Sequence, residues 1–383
     1  MSPDPFPVVP DPSPFPFPTT PAPHAEDGPA VLYPLQPDHP ELVAPFAALV
    51  QRTRARRLWL CQSFKAETHQ VAAHLAGMGH TVPVGTSVTL LPLRHPYEAA
   101  VQARSLALLT DRPVVAGFGI GNPDFVAGLT GGPYESPRTA VRDYLRSVRA
   151  LLDGERVEQG GPYHQLHGSL MPLDHPRVEL GAGVLRPGMA RTAGETADVA
   201  ITWMTPPTYV AGVLRPALEE GARLRPLPLR PPRIATAVHV AVVRPGRDPR
   251  RLAIAAAQEH LRAPHYLDML RRAGVRIDPH DPAGTADALL DSGVVVAGSP
   301  DEIAQRLGEY SRAGVDEVML NPSGVLLTEG VHAAVADLEE ILAACRAEAD
   351  RGAQDAQASQ DPARSGQEPA ARASSGAAVR LLG

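Results

Sequence analysis

"VGTSVTLLPLRHPYEAAVQARSLAL", residues Val84 to Leu108, contains one complete structural unit. Val84, Thr86, Val88 and Leu90 alternate along its first half. Valine and threonine suit a pleated surface, so this half predicts a strand with those four on one face. Ala99, Ala100, Ala103, Leu106 and Ala107 recur at helical spacing in the second half. Between them stands Arg94-His95-Pro96, and proline suits the first turn of a helix. The unit is strand, loop, helix. It places two small hydroxyl residues, Thr86 and Ser87, in mid-strand, and what they face bears on function.

The same unit recurs on both sides. Apolar runs predict strands at 30–35, 57–64, 84–90, 112–121, 177–184, 198–206, 233–243 and 315–324, each followed by a helical pattern. Alternating strand and helix implies parallel strands joined by helical crossovers. A doubly wound open sheet usually has fewer units in one domain. Eight units predict the α/β class and a (β/α)8 TIM barrel, with a helical insertion between strands seven and eight at roughly residues 244–293. The active site of such a barrel lies at the C-terminal ends of its strands.

The ends differ in composition. Residues 1–29 contain "PSPFPFPTTPAP" and predict a disordered, extended arm; they lack the basic start and unbroken apolar stretch of a signal peptide. Residues 347–383 are rich in Ala, Gln, Ser and Asp and predict a disordered tail. The barrel is therefore expected over 30–346.

An apolar fraction of 44% over 383 residues allows a sizeable core. Net charge is −6 with scattered arginines, which gives no footprint for nucleic acid and no basic stripe for a membrane surface. No apolar run reaches the roughly 18 residues of a membrane span. Cys61 and Cys345 form no disulfide framework, and a reducing cytoplasm is expected.

Motifs for several chemistries fail. "GFGIGNPDF" has Gly117, Gly119 and Gly121, but Asn122 stands where a dinucleotide fingerprint needs its last glycine. The glycines imply a close approach to the backbone or a bent strand end. Gly181, Ala182 and Gly183 end a strand just before a helix start, where backbone N–H groups suit a phosphate; they could also merely turn the chain. His69 and His74 lie on different sides of a helix, and no metal or G-x-S-x-G nucleophile signature occurs. Lys65 lies on a loop; His239 reads as a satisfied barrel histidine and Trp203 as packing or the wall of a ring-shaped site. A glycine-rich, metal-free mouth suggests that an organic cofactor does the chemistry.

Taken together, "GTSVTLLPLRHP", "GFGIGNPDF", "VELGAGV", "AGETADVAITW" and "GSPDEIAQRLGEYSRAGVDEVML" resemble the luciferase-like monooxygenase superfamily over roughly residues 30–346. They look most like its branch that uses the deazaflavin coenzyme F420. The resemblance implies a (β/α)8 barrel with an insertion after strand seven. It implies a non-prolyl cis peptide at Ser87–Val88, beneath the cofactor ring, with Thr86 beside it. It implies that Gly119, Gly121, Gly181, Ala182 and Gly183 receive the ring edge and phosphate. Sugar-phosphate dehydrogenases of this branch have Asp-His at the end of strand two, the His being their base. Here Gln62 and Ser63 stand at the matching positions, with Gln62 at the cofactor site. Without a base to oxidise an alcohol, reduction is the better direction. Glu67, His69 and Asp124 are the candidate proton donors; Glu67 could also cap a helix.

The sequence is also similar to actinobacterial reductases of ribosomal peptide natural product pathways. The expectation is an F420H2-dependent reductase of an activated C=C or C=N bond, such as a dehydroalanine-type residue or cyclic imine in lanthipeptide- or thiopeptide-like biosynthesis. Its partner would be a small molecule or modified peptide. An FMN-dependent monooxygenase is the first alternative and a non-catalytic binding barrel the second. Small residues on more than one face of the helices near 68–78 and 97–109 imply a homodimer.

Overall fold

The apolar runs close into a ring. The structure, a computed structural model, describes residues 28–225 and 230–360. It contains strands β1 (Ala30–Tyr33), β2 (Leu58–Leu60), β3 (Val84–Thr86), β4 (Thr89–Leu90), β5 (Val114–Gly119), β6 (Val157–Gly160), β7 (Gln165–Gly168), β8 (Val178–Gly183), β9 (Val199–Trp203), β10 (Arg233–Val242), β11 (Val295–Gly298) and β12 (Glu317–Asn321). Parallel pairing runs β1-β2-β3-β5-β8-β9-β10-β12 and returns to β1. This is the closed eight-stranded barrel, with all eight expected strands in place. Three further strands were not legible. β6 and β7 form an antiparallel hairpin, and β11 extends the outer end of β10 by pairing His239–Val242 with Val295–Gly298.

Proline punctuates the helices. Pro96, Pro123, Pro137, Pro187, Pro249, Pro264, Pro282 and Pro300 each open a helix, where the missing N–H costs nothing. Ser299 and Glu302 form a reciprocal capping box before the last crossover. The expected insertion is made of helices Pro249–Leu261, Pro264–Arg272 and Pro282–Asp291.

Inward side chains of Ala30, Leu32, Trp59, Val115, Val199, Ile201, Ala235, Ala237 and Met319 fill the barrel. Its lower end is closed by charge. Fully buried Glu317 accepts from Arg57 Nε at 2.9 Å and Trp59 Nε1 at 2.7 Å, and pairs with Arg56 and Arg233. Arg233 also reaches Glu179 at 2.7 Å. A packed and paired lower end serves stability, leaving the upper end for chemistry.

One boundary needs correction. The last helix runs Val331–Gln360, past the residue 347 at which a tail was expected to begin. Alanine, glutamate, glutamine and arginine are good helix formers, and the helix is already nucleated and docked by Asp337. Asp337 is fully buried and accepts from Val242 N at 2.9 Å and Arg247 at 2.6 Å. The arm over 1–27 and the segment 361–383 lie outside the described residues.

Candidate active site

The hydroxyls of the 84–90 stretch hold a bulge together. Gly85 pairs with Val115 and Thr89 with Phe118, so three residues, 86–88, oppose two, 116 and 117. That is one extra residue, which bends the strand. The Ser87–Val88 peptide is cis, as the resemblance implied. Thr86 Oγ1 accepts from Gly117 N at 2.8 Å and lies 3.0 Å from its carbonyl, while Thr89 Oγ1 donates to that carbonyl at 3.1 Å. Both threonines replace ladder bonds that the bulge removes. Ser87 is buried, and its N–H donates to Leu60 O at 2.8 Å. Gln62 braces the other side. Its Oε1 accepts from Leu90 N at 3.0 Å and its Nε2 donates to Ser63 O at 2.7 Å. The bulge also corrects the expected face. Val84 packs outward toward the helices, whereas Val88 turns to the barrel interior.

Much of the glycine signal answers to the protein's own packing. A Cβ on Gly117 would lie 2.0 Å from the Thr86 carbonyl oxygen, and one on Gly181 2.6 Å from Ile201. On Gly119 it would lie 2.4 Å from Val88 Cγ2, so Val88 packs into the gap. Gly121 has φ +82°, which turns the chain out of β5. Gly183, by contrast with Gly117, Gly119 and Gly181, leaves ordinary contact distance, 3.6 Å, beside Val88. Ala182 packs in the outer core, not at the mouth, because its neighbours take the inward places. The backbone suited to a phosphate lies further on. Helix Pro187–Thr196 starts at Arg186 without a side-chain cap, and the Arg138 side chain lies 3.5 Å from where a Gly188 Cβ would be. Arg138 has no ion-pair partner among the described residues, so a helix start and a guanidinium face the same space.

Glu67 and His69 come together on the rim after β2. Glu67 caps helix Thr68–Gly77, accepting from His69 N at 2.8 Å and Gln70 N at 3.1 Å. Its second oxygen meets His69 Nδ1 at 2.9 Å and Arg94 at 3.0 Å. Burial pushes this carboxyl up, but His69, Gln70 and Arg94 outweigh burial and hold it down to about 2. Glu67 is thus an anion near neutrality and cannot act as the proton donor expected of it. It orients His69, whose Nε2 has no protein partner among the described residues. Asp124 is exposed in the first turn of helix Pro123–Thr130. The two loops meet where Phe64 and Phe125 pack at 5.1 Å, Phe64 more than half and Phe125 about a third open to solvent. Lys65 pairs with Asp38 on the surface. Beside the rim, a cavity of about 650 Å³ is lined by Arg94, His95, Tyr134, Tyr144, Tyr163 and His164, among others.

The opposite wall carries groups that sequence reading undervalued. Trp203, His239 and Asn321 point inward at the upper ends of β9, β10 and β12. Two insertion helices cover them. His260 stacks on Trp203 at 5.0 Å, and Tyr266 packs edge-on to His260 at 4.8 Å. Burial, with Cys61 nearby, raises the Tyr266 phenol. Burial likewise pushes the Cys61 thiol up to about 12, against a lowering contact with Ser87, so Cys61 is no thiolate nucleophile. Trp203 ends one strand and His239 lies inside another, and only three-dimensional closure brings His260 onto them.

This arrangement fits a long cofactor with an aromatic ring at one end and a phosphate at the other. Val88 and Gly183 would hold the ring, and Gly188 with Arg138 the phosphate. The pattern defining luciferase-like monooxygenases matches residues 24–317. A 5,10-methylenetetrahydromethanopterin reductase of Methanolobus tindarius is 24% identical over 288 residues, covering 73% of this chain and 75% of that protein. An F420-dependent secondary alcohol dehydrogenase, solved with an F420-acetone adduct, superposes with a TM-score of 0.65 at 18% identity, covering 84% of this chain and 99% of the other. The oxygenating constituent of 3,6-diketocamphane monooxygenase from Pseudomonas putida, solved with FMN, gives 0.60 at 14% identity, over 83% and 97%. No helix among the described residues is long and apolar enough to cross a membrane. With most of its length matched and the barrel and mouth in place, this chain belongs to the luciferase-like monooxygenase family.

Proposed function

We propose that the protein is a reductase that uses reduced coenzyme F420 (F420H2) on an activated C=C or C=N bond, such as a dehydroalanine-type residue or cyclic imine in a modified peptide. The cofactor, when bound, supplies the hydride. The observation that carries this reading is the Ser87–Val88 bulge facing Gly183, with Arg138 and an uncapped helix start further along the same mouth. The direction rests on Gln62 and Ser63. Gln62 Oε1 is held by Leu90 N and Nε2 donates to the Ser63 carbonyl, and neither an amide nor the buried Ser63 hydroxyl is a base, so neither accepts a proton from an alcohol. His69 is left as the rim group that hands a proton to the product.

The test is titration with F420 and with FMN, followed by anaerobic turnover of N-acetyldehydroalanine methylamide and of isopropanol. F420 should bind more tightly, and only the unsaturated amide should be turned over, with the reduced cofactor. Tighter FMN binding with oxygen uptake would instead favour a flavin monooxygenase, and binding of neither a non-catalytic barrel. A homodimer is part of the same reading. Helices Thr68–Gly77 and Pro96–Thr110 pack together and leave Met78, Leu108 and Leu109 exposed, an apolar face that a second copy would cover.

A further inference from the structure

Three N–H donors stand at the upper ends of neighbouring strands without an acceptor. Trp203 Nε1, His239 Nε2 and Asn321 Nδ2 are all buried, and none has a hydrogen-bond partner among the described residues. Buried donors are normally satisfied, so three in one place call for an explanation. They are close together. His239 and Asn321 are register partners on β10 and β12, and the Trp203 and His239 rings are 6.2 Å apart.

One residue fixes two of them. Ser323 N donates to Asn321 Oδ1 at 2.9 Å, which settles the amide orientation and makes Nδ2 the outward donor. Ser323 Oγ lies 3.0 Å from His239 Nδ1. Ser323 is buried, and among the described residues its hydroxyl proton has no other acceptor, so we assign it as the donor to Nδ1. The neutral ring then carries its proton on Nε2. Burial, with His260 nearby, pushes His239 down to about 3, so the ring is uncharged at any working pH. Among the described residues no Arg, Lys, Asp or Glu is bonded to any of the three. The wall therefore presents three donors and no bonded charge; the other orphaned nitrogen nearby, His260 Nδ1, belongs to the cover.

We propose that Trp203, His239 and Asn321 form a binding site for the carbonyl oxygen of an uncharged substrate, an α,β-unsaturated amide, and select it over a carboxylate or phosphate. This deepens the reductase reading and rests on it. Addition of a hydride to the β-carbon, its electron pair coming from the reduced cofactor, shifts the C=C electrons toward the carbonyl and leaves charge on that oxygen. Protonation at the α-carbon then restores the C=O bond. Donors aimed at the oxygen bind the ground state and bind the charged state better. An anionic substrate would lose its hydration shell here and gain no cation in return. His260 and Tyr266 must lift for any ligand to reach the donors.

The test is an NMR titration of the full-length, cofactor-free protein with N-acetyldehydroalanine methylamide and, separately, with the N-acetyldehydroalanine anion. The amide should bind at least tenfold more tightly. Asn321→Asp and His239→Phe should each weaken amide binding about tenfold, the loss of one buried hydrogen bond, while the F420 Kd stays within twofold. Equal affinity for amide and anion overturns the proposal, and that comparison needs no variant to fold. A fall in F420 affinity matching the fall in amide affinity also overturns it, because the donors would then serve the cofactor ring. Failure to bind F420 at all would sink the reductase reading while leaving the amide measurement intact.

Discussion

His69 and Glu67 differ by the direction in which each holds a proton. Glu67 is kept ionised by three neighbours, whereas His69 gives one nitrogen to Glu67 and keeps the other free. If Nε2 delivers the proton, His69→Ala should lower turnover by ~10²-fold or more with the F420 Kd unchanged. Glu67→Gln preserves a hydrogen bond to the ring but loses the anion. It should cost less in turnover and change the pH profile, which a purely structural cap would not do. Full turnover in both variants, measured anaerobically, would move the proton source to Asp124 or solvent. The sequence showed Glu67 and His69 as neighbours in the first turn of a helix. It could not show that Arg94, 27 residues away, fixes the charge of Glu67.

At the scale of elements, the strands were legible because each parallel strand is buried on both faces and reads as an apolar run. The bulge was legible only through resemblance. Period-two alternation put Val84 and Val88 on one face, and one extra residue reversed that. β6 and β7 were missed because "VEQG" and "QLHG" lie outside the barrel, half-exposed, with little apolar signal. The bulge gives a sharp prediction. Gly119→Ala puts a methyl 2.4 Å from Val88 Cγ2, so the valine must leave its place beside the bulge. Overpacking of this kind costs about 1–3 kcal/mol. The variant should show a lower urea midpoint and weaker F420 binding together. Gly128→Ala, with open space around its Cβ, should show neither.

For the whole molecule, acid stability reports on the covered mouth. Burial, with help from neighbouring histidines, pushes His239 down to about 3 and His260 to about 4. Below pH ~6.5 the unfolded chain takes up protons that the folded chain refuses, so stability is full above that value and falls as pH drops. Each histidine contributes a slope of about 1.4 kcal/mol per pH unit between there and its folded value. Glu67 enters only below the usual carboxylate range, so pH 6.5 to 5 isolates the histidines. His164 and His265 are pushed down by burial as well and add to the same fall. Urea midpoints at pH 7.5, 6 and 5 should fall, and His260→Asn should make the fall shallower without abolishing it. A pH-independent midpoint would place these rings in water. The cluster itself was beyond sequence reading, since 56 residues lie between Trp203 and His260.

The cover is latched where the cofactor's phosphate would arrive. Arg186, at the start of the phosphate-facing helix, pairs with Asp268 on the covering helix Pro264–Arg272 at 2.9 Å. An anion bound there competes with Asp268 for Arg186. Cofactor arrival would thus loosen the cover, and the second ligand would enter the loaded protein faster than the free one. Such a molecule has a preferred order of addition. Stopped-flow traces should show substrate association that levels off with concentration, at a ceiling that rises in Asp268→Asn and with salt. Association that stays linear to millimolar substrate in the wild type would mean that the cover opens unaided.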